Sequence, residues 1–134
     1  THLQNHGCLK GSRILLAEDN EINAEVATEL LKEEGCIVEV ANDGVACIDM
    51  IEKADAGYYK MILMDIQMPV MNGYDATIAI RNLNDTKKAR IPIIAMTANA
   101  FAEDAKKALS VGMNDHVAKP IDMNILVPAM MKYL

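Results

Sequence analysis

Tryptophan is absent, and one phenylalanine with four tyrosines leaves aromatic residues at 4% of the 134-residue chain. A core made from this composition must rest on branched aliphatic and thioether side chains, and ten methionines are present to fill its gaps. Cysteine is scarce. Cys8, Cys36 and Cys47 are odd in number and no two are separated by two residues, so neither a disulfide framework nor a zinc site is indicated. Small buried thiols in a reducing compartment are the expectation. No apolar run approaches the roughly 20 residues that span a bilayer, and no charged-then-apolar signal segment opens the sequence. Basic residues are outnumbered, 13 against 19 acidic, for a net charge of -6, and no basic stripe interleaved with aromatics appears. Direct nucleic-acid binding and membrane contact are thereby disfavoured. The expectation is a soluble cytoplasmic domain, whatever anchors its parent protein.

Hydrophobic residues nevertheless make up 51% of the chain, enough for a single packed domain of this length. Residues 1–12 show no sustained period and read as linker or tag, leaving 13–134 as the domain. From Arg13 onward short apolar runs alternate with segments of helical period. Ile14 to Ala17 precedes Ile22, Val26, Leu30 and Leu31, and Ile37 to Ala41 precedes Val45, Ile48 and Ile51. Met61 to Met64 precedes a helix near Gly73 to Leu83, and Ile91 to Met96 one near Phe101 to Val111. His116 to Ala118 precedes a last amphipathic stretch through Ile125, Leu126, Ala129, Met130 and Tyr133.

Five such strand-helix units imply a parallel sheet with helices on both faces, since parallel neighbours need crossover connections. Three runs are continuously apolar, as strands covered on both faces should be, whereas Ile37 to Val40 alternates and reads as an edge. The α/β fold expected is therefore the flavodoxin-like doubly wound sheet of five strands in the order 2-1-3-4-5, with five helices.

In such a sheet ligands bind outside the carboxyl ends of the strands. Glu18 and Asp19 follow the first strand, Asp65 ends the third, Thr97 the fourth, and Lys119 with Pro120 follows the fifth. Three carboxylates brought together must hold protons or recruit a cation. Oxygen ligands without His or Cys favour Mg²⁺ over zinc or copper. Asp65 ends a buried strand and suits nucleophilic attack on phosphorus to give an aspartyl phosphate. Lys119 and the Thr97 hydroxyl would then balance charge on the transferring group. A plainer reading also stands for each part: Asp19 or Asn20 as a helix cap before Glu21, Thr97 as a strand-end hydroxyl, Lys119 as a surface ammonium.

The wording of these segments resembles the receiver domain of two-component response regulators from Arg13 to Leu134. Leu16-Ala17-Glu18-Asp19-Asn20-Glu21-Ile22-Asn23 is similar to the acidic first loop, and Leu63 through Tyr74 to the phosphoacceptor segment. Ala95 to Ala100 and Gly112 to Pro120 complete the match. The resemblance implies a phosphoacceptor Asp65, metal ligands Glu18, Asp19 and Asp65 with the backbone carbonyl of Gln67, and phosphoryl contacts from Thr97 and Lys119. It implies autocatalytic transfer from a phosphohistidine, with autodephosphorylation, and a histidine kinase or histidine phosphotransfer domain as partner. Movement of Thr97 would reshape the face made by the fourth helix, fifth strand and fifth helix, through which a homodimer would form. A cis Lys119–Pro120 bond is also implied.

The wording is most like receivers of hybrid sensor histidine kinases, with a stand-alone regulator or a degenerate, purely protein-binding receiver as alternatives. A haloacid-dehalogenase-like phosphohydrolase would want an acid where Gln67 stands, and a flavodoxin-type binder a phosphate loop where Glu18 and Asp19 stand.

Two positions depart from the family. His116 stands where a Tyr or Phe usually switches rotamer with Thr97, which makes the switch weaker or pH-sensitive, or leaves an edge histidine without a role. Pro128 interrupts the last helix, which should start late or kink. Phe101 is expected to pack as the one large apolar residue of the fourth helix, and Lys87, Lys88 and Arg90 to form a solvated loop.

Overall fold

A computed structural model of the chain describes residues 9–98 and 102–134. Five strands, β1 (Arg13–Ala17), β2 (Ile37–Ala41), β3 (Met61–Asp65), β4 (Ile93–Thr97) and β5 (Asp115–Ala118), form one parallel sheet in the order β2-β1-β3-β4-β5. Alternate side chains along each strand enter opposite layers. Ile14, Leu16, Leu63, Ile94 and Met96 pack on one face. Leu15, Ala17, Ile62, Met64, Ile93 and Ala95 pack on the other. Every residue of β3 and β4 is buried, while β2 is exposed along much of its length, as its alternating sequence requires of an edge.

The helices are α1 (Glu21–Glu33), α2 (Gly44–Lys53), α3 (Gly73–Arg81), α4 (Thr86–Ala89), α5 (Ala102–Val111) and α6 (Met123–Met131). The first layer lies under α1 and α6, the second under α2, α3 and α5. Asn20, Asp43, Asn72, Asp85 and Asp122 each accept a hydrogen bond from a backbone N–H of the first turn they cap. Gly73 opens α3 hard against β3: a Cβ there would collide with the Asp65 carbonyl, so only glycine lets the helix start beside the strand end.

Several expectations need revision or a limit. Six helices rather than five stand among the described residues. The sixth is α4, where Lys87 and Lys88 were read as loop: Asp85 caps a single turn through their N–H groups, and Lys88 Nζ donates to Glu52 O at 2.7 Å. Within the expected linker, Leu9 is fully buried in the α1/α6 layer, and Gly11 N donates to Gly35 O at 2.8 Å, so packing extends back to Leu9. Of the late start or kink expected of the last helix, the late start is not seen, since α6 begins at Met123 and runs on through Pro128. Cys8 and Phe101 lie outside the described residues. Cys36 and Cys47 are buried thiols, and burial pushes Cys47 up to about 12.

Arg81, at the end of α3, ties the α4–β4 and α5–β5 connections together. Its guanidinium donates to Gly112 O (2.8 Å), Ala89 O (2.6 Å), Ile91 O (2.7 Å) and Asn114 Oδ1 (2.9 Å). Asn114 Oδ1 in turn accepts from Ile93 N at 2.9 Å, which sets the start of β4. Burial lowers the guanidinium pKa, yet arginine stays charged in proteins. Truncation strands several carbonyls together. Arg81→Ala is expected to cost about 3–4 kcal/mol, and Arg81→Lys, which lacks the planar fork, to recover less than half of it. Urea denaturation checks both; a loss below about 1 kcal/mol would mean that water replaces the guanidinium without penalty.

Candidate functional site

At the carboxyl end of the sheet a cavity of about 290 Å³ opens over the ends of β1, β3 and β4 and the loop after β5. β3 and β4 run apolar until their last residue, and β1 is apolar from Ile14 to Ala17 before the acids that follow it. The cavity is lined by Glu18, Asp19, Asp65, Gln67, Thr97 and Lys119, all named from the sequence. Tyr74 of α3 and Asp104 of α5 line it too, and sequence reading missed both. The only available signal was that α3 and α5 begin at this rim and direct their first turns toward it. His116 is not among the lining residues. It lies half-buried on β5, with its Nδ1 3.9 Å from Asp115 Oδ1.

Lys119 is the hinge of the charge arrangement. Its Nζ lies 2.9 Å from Glu18 Oε2 and 3.1 Å from Asp65 Oδ1, so one ammonium bridges two buried carboxylates. Glu18 Oε1 accepts from Asn20 N (3.3 Å) and Asn23 Nδ2 (3.5 Å), which orients the carboxylate. Asn20, rather than Asp19, caps α1, accepting from Asn23 N at 3.0 Å, so Asp19 is left on the rim as an exposed acid. The Thr97 hydroxyl is buried and donates to Val117 O at 3.4 Å, and Lys119 N donates to Thr97 O at 2.7 Å, joining β4 to the lysine's backbone. The Lys119–Pro120 peptide bond is cis.

Burial pushes the Asp65 carboxyl up to about 6, the Glu18 charge adding to the rise and Lys119 opposing it. At Lys119 burial works downward, but its hydrogen bonds and charge pairing with Glu18 and Asp65 prevail and hold the ammonium above its ordinary value. Such a buried acid asks for a cation. Glu18, Asp19 and Asp65 each offer a carboxylate oxygen, all within 4.8 Å of one another. An all-oxygen donor set on an open rim fits a hard divalent ion that keeps part of its water, and offers nothing soft to zinc or copper. The acidic cluster is consistent with metal binding.

A family model for the response regulator receiver domain matches residues 14–131. Hybrid signal transduction histidine kinase B of Dictyostelium discoideum is 42% identical over 135 residues, covering 93% of this chain. The chain spans 7% of that kinase's length. Among solved structures, the receiver domain of a Pseudomonas aeruginosa sensor histidine kinase, with a magnesium ion coordinated in its active site cleft, is 38% identical. It covers 92% of this chain and 97% of its own, with a TM-score of 0.81. The receiver domain of a Saccharomyces cerevisiae response regulator, solved with a histidine phosphotransfer signalling protein, matches at 26% identity. That match has a TM-score of 0.83 and covers 93% of this chain and 90% of the other. Neither the phosphohydrolase nor the small-ligand alternative survives these matches. From Ile14 to Met131 the chain belongs to the response regulator receiver domain family, the phosphoryl-receiving module of two-component phosphorelays.

Proposed function

We propose that Asp65 accepts a phosphoryl group from a phosphohistidine in a Mg²⁺-dependent transfer, and that the observation carrying this reading is the Lys119 bridge between two buried acids beside a third. The phosphorus–nitrogen bond of the donor breaks as a bond forms from an Asp65 carboxylate oxygen to phosphorus. The nitrogen's electron pair returns to the imidazole, which leaves neutral because its other ring nitrogen already carries a proton. Glu18, Asp19, Asp65 and the Gln67 carbonyl would hold Mg²⁺, which supplies charge neutralisation to the phosphoryl oxygens when bound. Lys119 holds the Asp65 carboxylate at a fixed orientation before reaction and pairs with a phosphoryl oxygen during it. Thr97 leaves its weak hydrogen bond to Val117 O for the incoming oxygen. That movement, beside β5, begins the change in the α5/β5/α6 face, with His116 as the half-buried follower. Attack of water on phosphorus then breaks its bond to the Asp65 oxygen, releases inorganic phosphate and restores the carboxylate.

The chain should gain one phosphoryl mass on incubation with acetyl phosphate and Mg²⁺, and none in EDTA, with the modification mapping to the peptide that holds Asp65. An adduct indifferent to Mg²⁺, or located elsewhere, overturns the reading in favour of a degenerate, purely protein-binding receiver.

The partner reading also gains support from α1. Ile22 is 70% and Val26 55% exposed, and beside them an apolar groove of about 370 Å³ runs past Leu30 to Pro120 and Ile121, next to the acid rim. Exposed apolar side chains bordering a phosphorylation site suit a helical phosphotransfer partner that must bring its histidine to Asp65. Ile22→Glu is expected to slow transfer from a phosphorylated histidine phosphotransfer domain by about tenfold or more, while leaving acetyl phosphate labelling unchanged. Stopped-flow or gel assays of both donors check it. The similarity to hybrid kinases supports a parent protein of that type, with this domain as one module.

A further inference from the structure

The proposed transfer leaves one charged wall of the cavity without a role. Glu18, Asp19 and Asp65 are three carboxylates, and one divalent ion with the Lys119 ammonium would balance them. Asp104, half-buried in the first turn of α5, stands in the same wall and remains as an excess negative charge. Its neighbour across the cavity is Tyr74, whose hydroxyl pKa is raised, by burial first and then by the Asp104 charge. Lys107, one turn further along α5, forms no salt bridge with it and does not line the cavity. Its ammonium lies over the Tyr74 ring, 4.7 Å from the centroid, and lines the adjoining hollow instead.

We infer that Asp104 is a specificity-determining residue of the phosphoacceptor pocket, a fixed negative charge that selects against dianionic acyl phosphates and in favour of phosphoramidate-type donors, including phosphohistidine. The inference rests on the phosphoacceptor reading of Asp65. At neutral pH an acyl phosphate carries a dianionic phosphoryl group, whereas a phosphoramidate protonated on its nitrogen, or a phosphohistidine protonated on its other ring nitrogen, carries one net negative charge fewer. A carboxylate on the approach path therefore penalises the first more than the second. The outcome is a receiver less easily labelled by metabolic acyl phosphates than by its own histidine partner.

The test compares wild type, Asp104→Asn and Asp104→Glu, each checked for an unchanged melt, at saturating Mg²⁺ and low salt. With acetyl phosphate, Asp104→Asn should raise the second-order labelling constant by about three- to tenfold, and with phosphoramidate by about the square root of that factor. Asp104→Glu should behave as wild type. The difference should largely vanish at about 0.5 M salt. Binding to the unphosphorylated protein gives a second readout with opposite signs. Asp104→Asn should weaken Mg²⁺, a cation, by about twofold and tighten beryllofluoride, an anionic phosphoryl mimic, by a similar factor. A merely structural role for an acid near a helix start moves both affinities the same way. Equal acceleration with both donors, or a salt-independent effect, overturns the inference. So does a wild type that labels in the Mg²⁺-dependent manner while Asp104→Asn is indifferent, and the phosphoacceptor reading then stands. No Mg²⁺-dependent labelling of the wild type overturns both.

Discussion

Asp65→Asn should leave less than about 1% of the Mg²⁺-dependent acyl phosphate, and yet give a folded protein more stable than the wild type in EDTA at neutral pH. The two effects share one cause. A residue that is 5% exposed, its carboxylate close to Glu18, is held at an energetic disadvantage until a cation or a phosphoryl complex occupies the rim. In the folded chain the carboxyl titrates at about 6, against an ordinary value of 3.8. Between those two values the folded protein keeps a proton that the unfolded chain has released, so stability falls as pH rises from about 4 to about 6 and is level above. The amide removes that slope. After allowance for the lost pairing with Lys119, the gain at pH 7.5 should be about 2 kcal/mol, shrinking toward zero or reversing at pH 4. Urea melts of both proteins at the two pH values, with and without Mg²⁺, decide it. Millimolar Mg²⁺ should stabilise the wild type and do little for the variant. A variant less stable than wild type at pH 7.5 in EDTA would show that the Lys119 pairing, not burial, dominates at this carboxylate.

The sheet was legible because its signal is redundant. Apolar runs such as Met61 to Met64, the alternating edge at Ile37 to Val40 and the spacing between them all agree on one topology, and the observed strand order follows. The strand-end residues were legible for a related reason: a carboxylate or ammonium that terminates a buried strand has no packing role to account for it. What escaped has no periodic signature. Arg81 stands in the last turn of α3, and nothing in its spacing reveals that two separate connections converge on its guanidinium. Leu9 precedes any pattern, because a single buried side chain has no period. Asp104 has no signal of its own in the sequence, and only the packing of α5 beside the strand ends brings it to the rim. The short α4 depends on one cap at Asp85, too little sequence to show against a loop rich in lysine.

Lys119→Met should separate metal binding from chemistry. The ammonium competes with any cation for Glu18 and Asp65, being 2.9 and 3.1 Å from their oxygens, so its removal should tighten Mg²⁺ by about three- to tenfold. The same removal leaves two buried carboxylates without a counter-charge, which should push Asp65 further up and cost about 3 kcal/mol in EDTA at pH 7.5, recovered in part when Mg²⁺ is added. Labelling by acetyl phosphate at saturating Mg²⁺ should nevertheless fall about 100-fold or more, because no other ammonium among the described residues lines the cavity to meet the transferring oxygens. Lys119→Arg should fail to restore the rate, since a planar fork cannot occupy the point between two carboxylates that a compact ammonium fills. Calorimetric Mg²⁺ titration beside labelling kinetics gives both halves. If metal affinity and rate decline together, Lys119 acts by holding the rim in shape, and the charge-balancing role assigned to it in the transfer is wrong.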